Sequence, residues 1–443
     1  MVHAFTYRDK YLVLDVESGA IHQTDKLSFD IIKAIELGND VYALPYSRNE
    51  IDEVLSEADE LRSLGQFDSP APKPIIREAE LSPIKSMCLN VAHDCNLRCK
   101  YCFAETGEYR GGRMLMSLET GKAALDFLIE HCGGRHHLEV DLFGGEPLMN
   151  FDVVRGIVSY GRELEKLHDK EIHFTITTNG VALNDEIDDF INKEMFNLVL
   201  SLDGRREVHD SQRVTPNGSG SYDIIVPKAQ KLISERGEGE HYIRGTFTAN
   251  NLDFTEDVKA LVNLGFEQIS VEPVVLPESD PMAITEENVS RALEEYDKLA
   301  EYVEECRANG KPFNFFHFMV DLDAAPCLAK RSLGCGAGVE YVAVAPNGNI
   351  YPCHQFVGNE KFLLGTVFSE GLNNGVRNEF AHSNVFTKPK CSACWAKYYC
   401  SGGCAANSFN LNGSISEPPE ISCKLLKKRT EIAIGMAVER KEN

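Results

Sequence analysis

From Ser86 onward the chain alternates strand-like and helix-like segments, and this alternation limits the possible folds more than any other feature. The strand candidates are SMCLNVAH, LEVDLFGG, IHFTITTNG, LVLSLDG, YIRGTFTAN and QISVEPVV. Segments between them, such as LETGKAALDFLIEHC and NDEIDDFINKEM, have helical periodicity. Such alternation predicts a parallel sheet with helices outside it. With polar motifs at the strand C-termini, six units predict an α/β fold, a partial TIM-like (β/α)6 barrel over residues 86–320.

The regions on either side of this barrel have different patterns. Residues 1–70 contain two alternating strand candidates, HAFTY and KYLVLDV, and ESGAIHQ can follow as a turn and short strand. A helical segment that Ser28 can cap and a second helix that ends at Gly65 come next. This order resembles a winged-helix arrangement, so we predict a small separate unit. The polar residues 71–85 predict a linker, and residues 321–443, where cysteines become dense, predict a third domain.

Composition excludes several classes of protein. A formal charge of −23 disfavours nucleic-acid binding, because phosphate backbones require clustered Lys and Arg. The chain has no long apolar run and no basic segment followed by an apolar one at its start, so we expect neither a membrane partner nor secretion, but a cytoplasmic location. In that compartment its 14 cysteines are expected to bind metal or do chemistry rather than form disulfides.

Cys95, Cys99 and Cys102 follow the first barrel strand with the spacing C-x3-C-x2-C. Three thiolates can hold three corners of a cubic iron–sulfur cluster and leave one iron open to a small molecule, whereas ferredoxin-type runs supply a fourth cysteine. The alternative is a zinc site completed by Cys88 or His93.

A second motif, Gly144-Gly145-Glu146-Pro147, ends the second barrel strand. The glycines let the backbone approach a ligand, and Pro147 fixes the turn. Backbone carbonyls and the Glu146 carboxylate are then positioned to hold an ammonium group. The alternative is a simple turn with a solvent-facing Glu.

Together the cysteine triad and the GGEP motif resemble the radical S-adenosylmethionine (SAM) superfamily. The resemblance implies that the open iron of a 4Fe-4S cluster binds SAM, and that one electron from the cluster releases a 5′-deoxyadenosyl radical. It also implies a role for each matching residue. Cys95, Cys99 and Cys102 bind the cluster, Gly144, Gly145 and Glu146 contact the methionyl amine, and Tyr101 lies near the adenine.

The following strand ends match the family's ribose-binding positions less closely. Thr178 and Asn179 end the third strand, and Ser201 and Asp203 end the fourth. Arg213 is a candidate charge partner for the SAM carboxylate. Each of these residues can equally be a turn residue or a helix cap.

Beyond the barrel, residues 391–404 have the spacing C-x2-C-x5-C-x3-C, and further cysteines lie on both sides. A structural zinc site is one interpretation. The region also resembles the SPASM extension of radical SAM enzymes, which implies two auxiliary 4Fe-4S clusters and three clusters in total. The implied ligands are Cys335, Cys353 and Cys404 for the inner cluster and Cys391, Cys394, Cys400 and Cys423 for the outer one. Cys327 can supply the missing inner ligand, or that iron stays open for a substrate thiolate.

The whole chain resembles thioether-forming maturases of Cys-rich peptides, most closely the SCIFF maturases. The resemblance implies that the leader of a ribosomally synthesised Cys-rich precursor peptide binds residues 1–70 as an added strand. The radical then removes a Cα hydrogen, a cysteine sulfur joins that carbon, and the auxiliary clusters accept an electron. A reducing protein such as flavodoxin or ferredoxin would supply the first electron.

Two other functions stay open. An anaerobic sulfatase maturase, which oxidises a protein Cys or Ser, shares both cluster regions but leaves residues 1–70 unexplained. A non-catalytic iron–sulfur electron carrier leaves both the open triad and the GGEP motif unexplained.

Overall fold

The N-terminal unit is a three-stranded antiparallel sheet followed by two helices. The computed structural model describes residues 1–76, 78–322 and 328–442 of the chain. The elements of this unit are β1 (Val2–Tyr7), β2 (Lys10–Asp15), β3 (Ile21–Thr24), α1 (Lys26–Glu36) and α2 (Arg48–Ser63). They follow the predicted order, and their winged-helix interpretation stays a prediction.

The cap of α1 differs from the one that the sequence suggests. The Asp25 side chain accepts a hydrogen bond from the Ser28 backbone N–H at 2.8 Å, so Asp25 is the N-cap and Ser28 lies in the first turn. Asp is among the best N-cap residues because its carboxylate satisfies an amide without a helical partner. Ser47 begins α2 with a capping box to Glu50.

Six parallel strands form an open barrel, as the sequence predicts. In the sheet, each of them pairs with the barrel strand that follows it along the chain. These strands are β4 (Ser86–His93), β7 (His137–Gly144), β8 (Glu171–Thr178), β9 (Asn197–Ser201), β11 (His241–Phe247) and β12 (Gln268–Pro273). Four two-residue strands accompany them: β5 (Arg98–Cys99), β6 (Met114–Leu115), β10 (Arg213–Val214) and β13 (Asn314–Phe315). The helices of this region are α3 (Leu118–His131), α4 (Phe151–His168), α5 (Asp185–Glu194), α6 (Arg206–Gln212), α7 (Tyr222–Arg236), α8 (Phe254–Asn263) and α9 (Val289–Ala308).

The interior of this barrel holds a cavity that both polar and apolar side chains line. On β7, Leu138, Val140 and Leu142 are fully buried in the hydrophobic core, whereas Glu139 and Asp141 alternate with them and line a cavity of about 1000 Å³. A closed TIM barrel fills this space with branched apolar side chains. The open barrel instead leaves room for a substrate.

The C-terminal region continues the barrel sheet. Its elements are α10 (Leu328–Leu333), β14 (Tyr341–Val344), β15 (Asn349–Tyr351), β16 (Gly365–Thr366), α11 (Asn374–His382), α12 (Pro389–Ser392), α13 (Lys397–Cys400), α14 (Ala405–Asn412) and α15 (Glu420–Glu442). Strand β14 pairs in parallel with β4, and it forms a hairpin with β15 that turns at Asn347-Gly348. In the part of the chain that the structure describes, no helix is long and apolar enough to cross a membrane.

The N-terminal sheet is packed on both faces. Ala4 and Val13 contact α1, and the alternate residues Phe5, Tyr7, Leu12 and Leu14 belong to the main core, which includes residues of α15. The Tyr7 ring lies so close to α15 that a Cβ atom on Gly435 would be 2.1 Å from it. The predicted separate unit is therefore docked on the C-terminal helix.

Candidate cluster and cofactor site

The cysteine triad lies in the loop after β4 and faces the cavity. Cys95, Cys99 and Cys102 all line it, and burial raises the pKa of Cys95 to about 12 and that of Cys99 to about 11. The described cysteines form no disulfide. Coordination to a metal deprotonates such thiols. Three free thiols that converge on one cavity therefore fit three corners of an iron–sulfur cluster.

The two glycines of the GGEP motif let the end of β7 pack against the triad loop. Gly145 N–H donates to the Ala92 carbonyl at 2.8 Å, and Glu146 N–H donates to the Asp94 carbonyl at 2.9 Å. A Cβ atom on Gly144 would lie 2.3 Å from Ala92 O, and one on Gly145 would lie 2.2 Å from Asp94 O. The sequence predicts glycines that approach a ligand; the structure shows that they first allow contact with the loop that carries Cys95.

The Glu146 carboxylate is fully buried, which excludes the solvent-facing alternative. It accepts hydrogen bonds from the Thr178 hydroxyl at 2.8 Å, the Asn179 N–H at 2.8 Å and the Leu148 N–H at 3.1 Å. Burial raises its pKa to about 7 despite these hydrogen bonds. Glu146 therefore joins the ends of β7 and β8, and its contact with a methionyl amine stays a prediction.

Tyr101, Asp203 and Arg213 form a buried group beside the triad. The Tyr101 hydroxyl donates to Asp203 at 2.6 Å, Arg213 Nε lies 3.0 Å from the same carboxylate, and the guanidinium lies 5.5 Å from the Tyr101 ring centre. Burial raises the pKa of Tyr101 well above its usual range. Tyr101 and Arg213 line the cavity, whereas the fully buried Asp203 does not, so it positions the other two side chains.

The remaining predicted cofactor contacts also lie on the cavity wall. Thr178, Asn179 and Ser201 line it, and the Asn179 amide lies 3.6 Å from the Cys95 sulfur. Their expected contacts with the ribose stay predictions.

The cysteines beyond the barrel fall into two groups. Cys353 interacts electrostatically with Cys335 and Cys404. The other group comprises Cys391, Cys394, Cys400 and Cys423, which interact with one another. This grouping has the same members as the expected inner and outer ligand sets, whose ligation stays a prediction. Cys327 lies outside the described residues.

The second cysteine region shares the cavity of the triad. Cys400, Cys404 and Cys423 line the same space as Cys95, Cys99 and Cys102. A molecule in the cavity can therefore contact both cysteine regions.

Sequence reasoning missed a buried lysine between the two groups. Lys388 is 3% exposed, and its ammonium donates to the Gly402 carbonyl at 2.9 Å and interacts electrostatically with cysteines of both groups. Burial lowers its pKa. In the sequence KPKC it is indistinguishable from a solvated surface lysine, because only the tertiary fold buries it.

Comparison with known domains agrees with this geometry. Residues 89–220 match the model of the Radical SAM superfamily, and residues 335–395 match that of the SPASM iron–sulfur cluster-binding domain. The chain carries a radical SAM domain followed by a SPASM domain. These domains imply 4Fe-4S clusters and SAM, and the cysteine donor sets of both regions fit such clusters.

Several proteins resemble this chain over most of its length. A cysteine-type anaerobic sulfatase-maturating enzyme of Clostridium novyi (strain NT) is 26% identical over 340 residues, which is 71% of this chain and 86% of that protein. The structure of anSMEcpe with bound AdoMet and the Kp18Cys peptide has a TM-score of 0.67 at 19% identity, over 81% of this chain and 99% of that one. Streptococcus suis SuiB bound to its precursor peptide SuiA has a TM-score of 0.54 at 17% identity, over 95% of this chain and 98% of that one. These two structures show a shared fold, and the SuiB match has to include most of residues 1–70.

Proposed function

We propose that this chain is a radical SAM maturase that forms thioether bonds, from a cysteine sulfur to the Cα of an acceptor residue, in a ribosomally synthesised Cys-rich peptide. The cavity carries this proposal, because the triad and the second cysteine region line the same space of about 1000 Å³. A peptide held there can present one residue to the triad side and another to the SPASM side. A non-catalytic electron carrier would not require such a space.

The residues that would hold the cofactors are those that the structure brings together. Cys95, Cys99 and Cys102 would hold the SAM-binding cluster, and the two groups of SPASM cysteines would hold the auxiliary clusters. When bound, the reduced cluster and SAM supply a 5′-deoxyadenosyl radical, which can take a hydrogen atom from a substrate carbon. We assign the supply of electrons to a flavodoxin or ferredoxin.

The cavity wall itself can hold a peptide. Thr175, Thr177, Asn197, Tyr242 and Arg244 line it and offer hydrogen-bond donors and acceptors. Buried peptide groups require such partners. The wall therefore can bind a peptide backbone, position its reacting side chains and exclude bulk water from them.

We assign leader binding to the outer edge of β3. Among the described residues, β3 pairs with β2 and with no other strand. Asp15 N–H donates to the Ala20 carbonyl at 2.8 Å, and ladder bonds alternate along an antiparallel pair, so the amides of Ile21 and Gln23 point to the open edge. An added strand can pair with those amides.

The exposed Gln23 provides a test of this assignment. Gln23→Pro removes one outward amide, and an edge strand tolerates Pro at such a position. We expect leader affinity, measured by fluorescence anisotropy, to fall at least tenfold, while Gln23→Ala binds like the unmodified chain. Equal affinity of the Pro variant would remove leader binding from this edge.

The function is tested by incubating the reconstituted, reduced protein with SAM and a synthetic Cys-rich precursor peptide. We expect 5′-deoxyadenosine, together with a peptide that has lost two hydrogen atoms per crosslink by mass spectrometry. Failure to form 5′-deoxyadenosine would exclude every radical SAM function for the chain.

A second candidate, oxidation of a Cys or Ser in a sulfatase, is favoured by the match to anSMEcpe. The two candidates differ in their need for residues 1–70. A sulfatase-derived Cys peptide that is oxidised without any leader, while the Cys-rich peptide stays unchanged, would select this alternative.

A further inference from the structure

One carboxylate in the barrel interior lacks a protein partner. Asp141 lies on β7, three residues before Gly144, and its side chain lines the cavity. It forms no hydrogen bond or ion pair with any residue that the structure describes. The side chain is partly buried and borders the cavity, so a carboxylate without protein partners is available to a ligand there.

The other carboxylates on the cavity wall either have protein partners or are exposed to solvent. Glu146 accepts three hydrogen bonds, and Glu272 lies 2.9 Å from His317 Nε2. Glu139 and Glu240 are exposed. Among the described carboxylates on this wall, Asp141 is therefore the partly buried one without a hydrogen-bond or ion-pair partner.

Asp141 lies between the two cysteine regions. Its strand leads to the GGEP motif beside the triad, and its register partner on β4 is Cys88. On the other side of Cys88, Tyr341 of β14 interacts electrostatically with Asp141 and Cys353, and its hydroxyl lies 3.3 Å from His354 Nδ1. Asp141 is thus placed where a peptide side chain would approach the inner SPASM group.

We propose that Asp141 accepts the proton of the substrate cysteine thiol before its sulfur is joined to carbon, an assignment that rests on the proposed function. Thioether formation converts R–SH and R′–H into R–S–R′. The S–H bond breaks and leaves its proton on Asp141, and the C–H bond breaks and sends its hydrogen atom to the 5′ carbon derived from SAM. Formation of the S–C bond would release one electron, which an auxiliary 4Fe-4S cluster held by the SPASM cysteines would accept.

The protonation behaviour of Asp141 suits this role. Burial, assisted by the neighbouring charge of Glu139, raises its pKa to about 7. A base is most effective when its pKa lies near the working pH, and a free thiol has a pKa of about 8.5. Proton transfer from an unbound thiol to Asp141 is therefore only slightly unfavourable in free energy.

The decisive variant is Asp141→Asn, which keeps the shape of the side chain and removes the base. We expect thioether formation to fall by about 10²- to 10⁴-fold, the usual contribution of a general base. Peptide affinity, iron content and peptide-dependent 5′-deoxyadenosine formation should persist, because none of them requires the base. Asp141→Glu should restore part of the thioether rate.

The pH profile separates a base from a structural residue. The ionisable groups on the wall around Asp141 are Glu139, Cys88, Tyr341, His173, Arg244 and His354. Because protonated Asp141 cannot accept a proton, kcat/KM of the unmodified enzyme should fall as the pH drops below about 7. Glu139→Gln removes a charge that raises the pKa of Asp141, so the fall in kcat/KM should begin at a lower pH. His173→Gln should leave the pH at which kcat/KM falls unchanged.

The outcomes distinguish this assignment from the function on which it rests. Asp141→Asn that forms thioethers within about threefold of the unmodified rate would overturn the role of Asp141 alone. Unmodified enzyme that cleaves SAM but forms no thioether would overturn both proposals.

Discussion

At the scale of single residues, the GGEP glycines connect two functional loops. The end of β7 reaches the triad loop only because Gly144 and Gly145 carry no side chain against the Ala92 and Asp94 carbonyls. Backbone, unlike a flexible side chain, cannot move aside cheaply. The position of Cys95 therefore depends on two residues that offer no side-chain ligand of their own.

Gly145→Ala tests this dependence. The new Cβ would lie 2.2 Å from Asp94 O, so the triad loop has to move. We expect about four fewer iron atoms per reconstituted chain and a loss of about 1–3 kcal/mol in the free energy of unfolding. Gly134→Ala is the control, because a Cβ there meets no atom within 4 Å. Full iron content in Gly145→Ala would contradict the role assigned to this contact.

Much of the site could be predicted from the sequence, because spacing and position on a strand define it. The C-terminal ends of parallel strands lie at one edge of a sheet. The triad, the GGEP motif, Thr178 and Ser201 all stand at such strand ends, and all of them reach one cavity. The hydrogen-bond partners of Glu146 and Asp203 could not be predicted, because they come from distant segments. Asp141 was missed although strand alternation places it on the inner face.

At the scale of elements, the N-terminal sheet is attached directly to the second cysteine region. Glu17, in the turn after β2, accepts from Lys397 Nζ at 2.6 Å and from the Tyr398 hydroxyl at 2.8 Å. Its ion pair with Lys397 is almost fully buried. His3 of β1 stacks on Trp395 with ring centres 3.8 Å apart. Both contacts are made by residues between Cys394 and Cys400. The N-terminal unit and the outer cysteine group are therefore one packed assembly.

Glu17→Gln tests the attachment. The substitution leaves the Lys397 ammonium buried without its counter-charge, which costs about 3–5 kcal/mol. We expect the N-terminal sheet to undock, so that limited proteolysis cleaves residues 71–85 faster. The exposed Arg8–Glu439 pair at the same interface supplies the control, and Arg8→Ala should leave the cleavage rate unchanged. A protected linker in Glu17→Gln would contradict this account.

His3 gives the same interface a pH dependence. Burial alone would lower its pKa, but hydrogen bonds to Glu36 and Glu431 outweigh that effect and raise the pKa above 6.5. A raised pKa means that the stabilisation is complete below pH 6.5 and is lost as the pH rises through the folded-state value. We expect Tm to fall over this upper range, measured by scanning fluorimetry, and His3→Gln to remove that part of the fall.

Other groups also change protonation over this pH range, so the experiment needs a control. His382 is an exposed histidine at the end of α11, and His382→Gln serves as that control. It should keep the full pH dependence. Identical Tm profiles for His3→Gln and the unmodified chain would remove His3 from the interface energetics.

At the scale of the whole molecule, the six-stranded barrel stays open and surrounds a cavity. The sequence predicts the number and order of its strands, because strand and helix periods differ clearly. It does not reveal that β14 extends the sheet beside β4, since that pairing joins segments about 250 residues apart. This extension brings the SPASM cysteines to the same cavity as the triad.

Docking of the N-terminal sheet on α15 also affects experimental design. Removal of residues 1–70 would expose the apolar surface that Tyr7 and Leu12 cover, so loss of activity in that truncation would not identify a leader site. The single-residue variants of β3 and of Glu17 leave that surface covered. They are the appropriate tests of how this unit contributes.

We propose that one cavity holds the peptide while hydrogen abstraction and sulfur–carbon bond formation occur together. A Cys-rich precursor peptide deuterated at the Cα of its acceptor residues, incubated with the reduced enzyme and SAM, tests this coupling. We predict one deuterium in each 5′-deoxyadenosine formed and one thioether for each deuterium transferred. Deuterium-free 5′-deoxyadenosine beside an unchanged peptide would contradict the account.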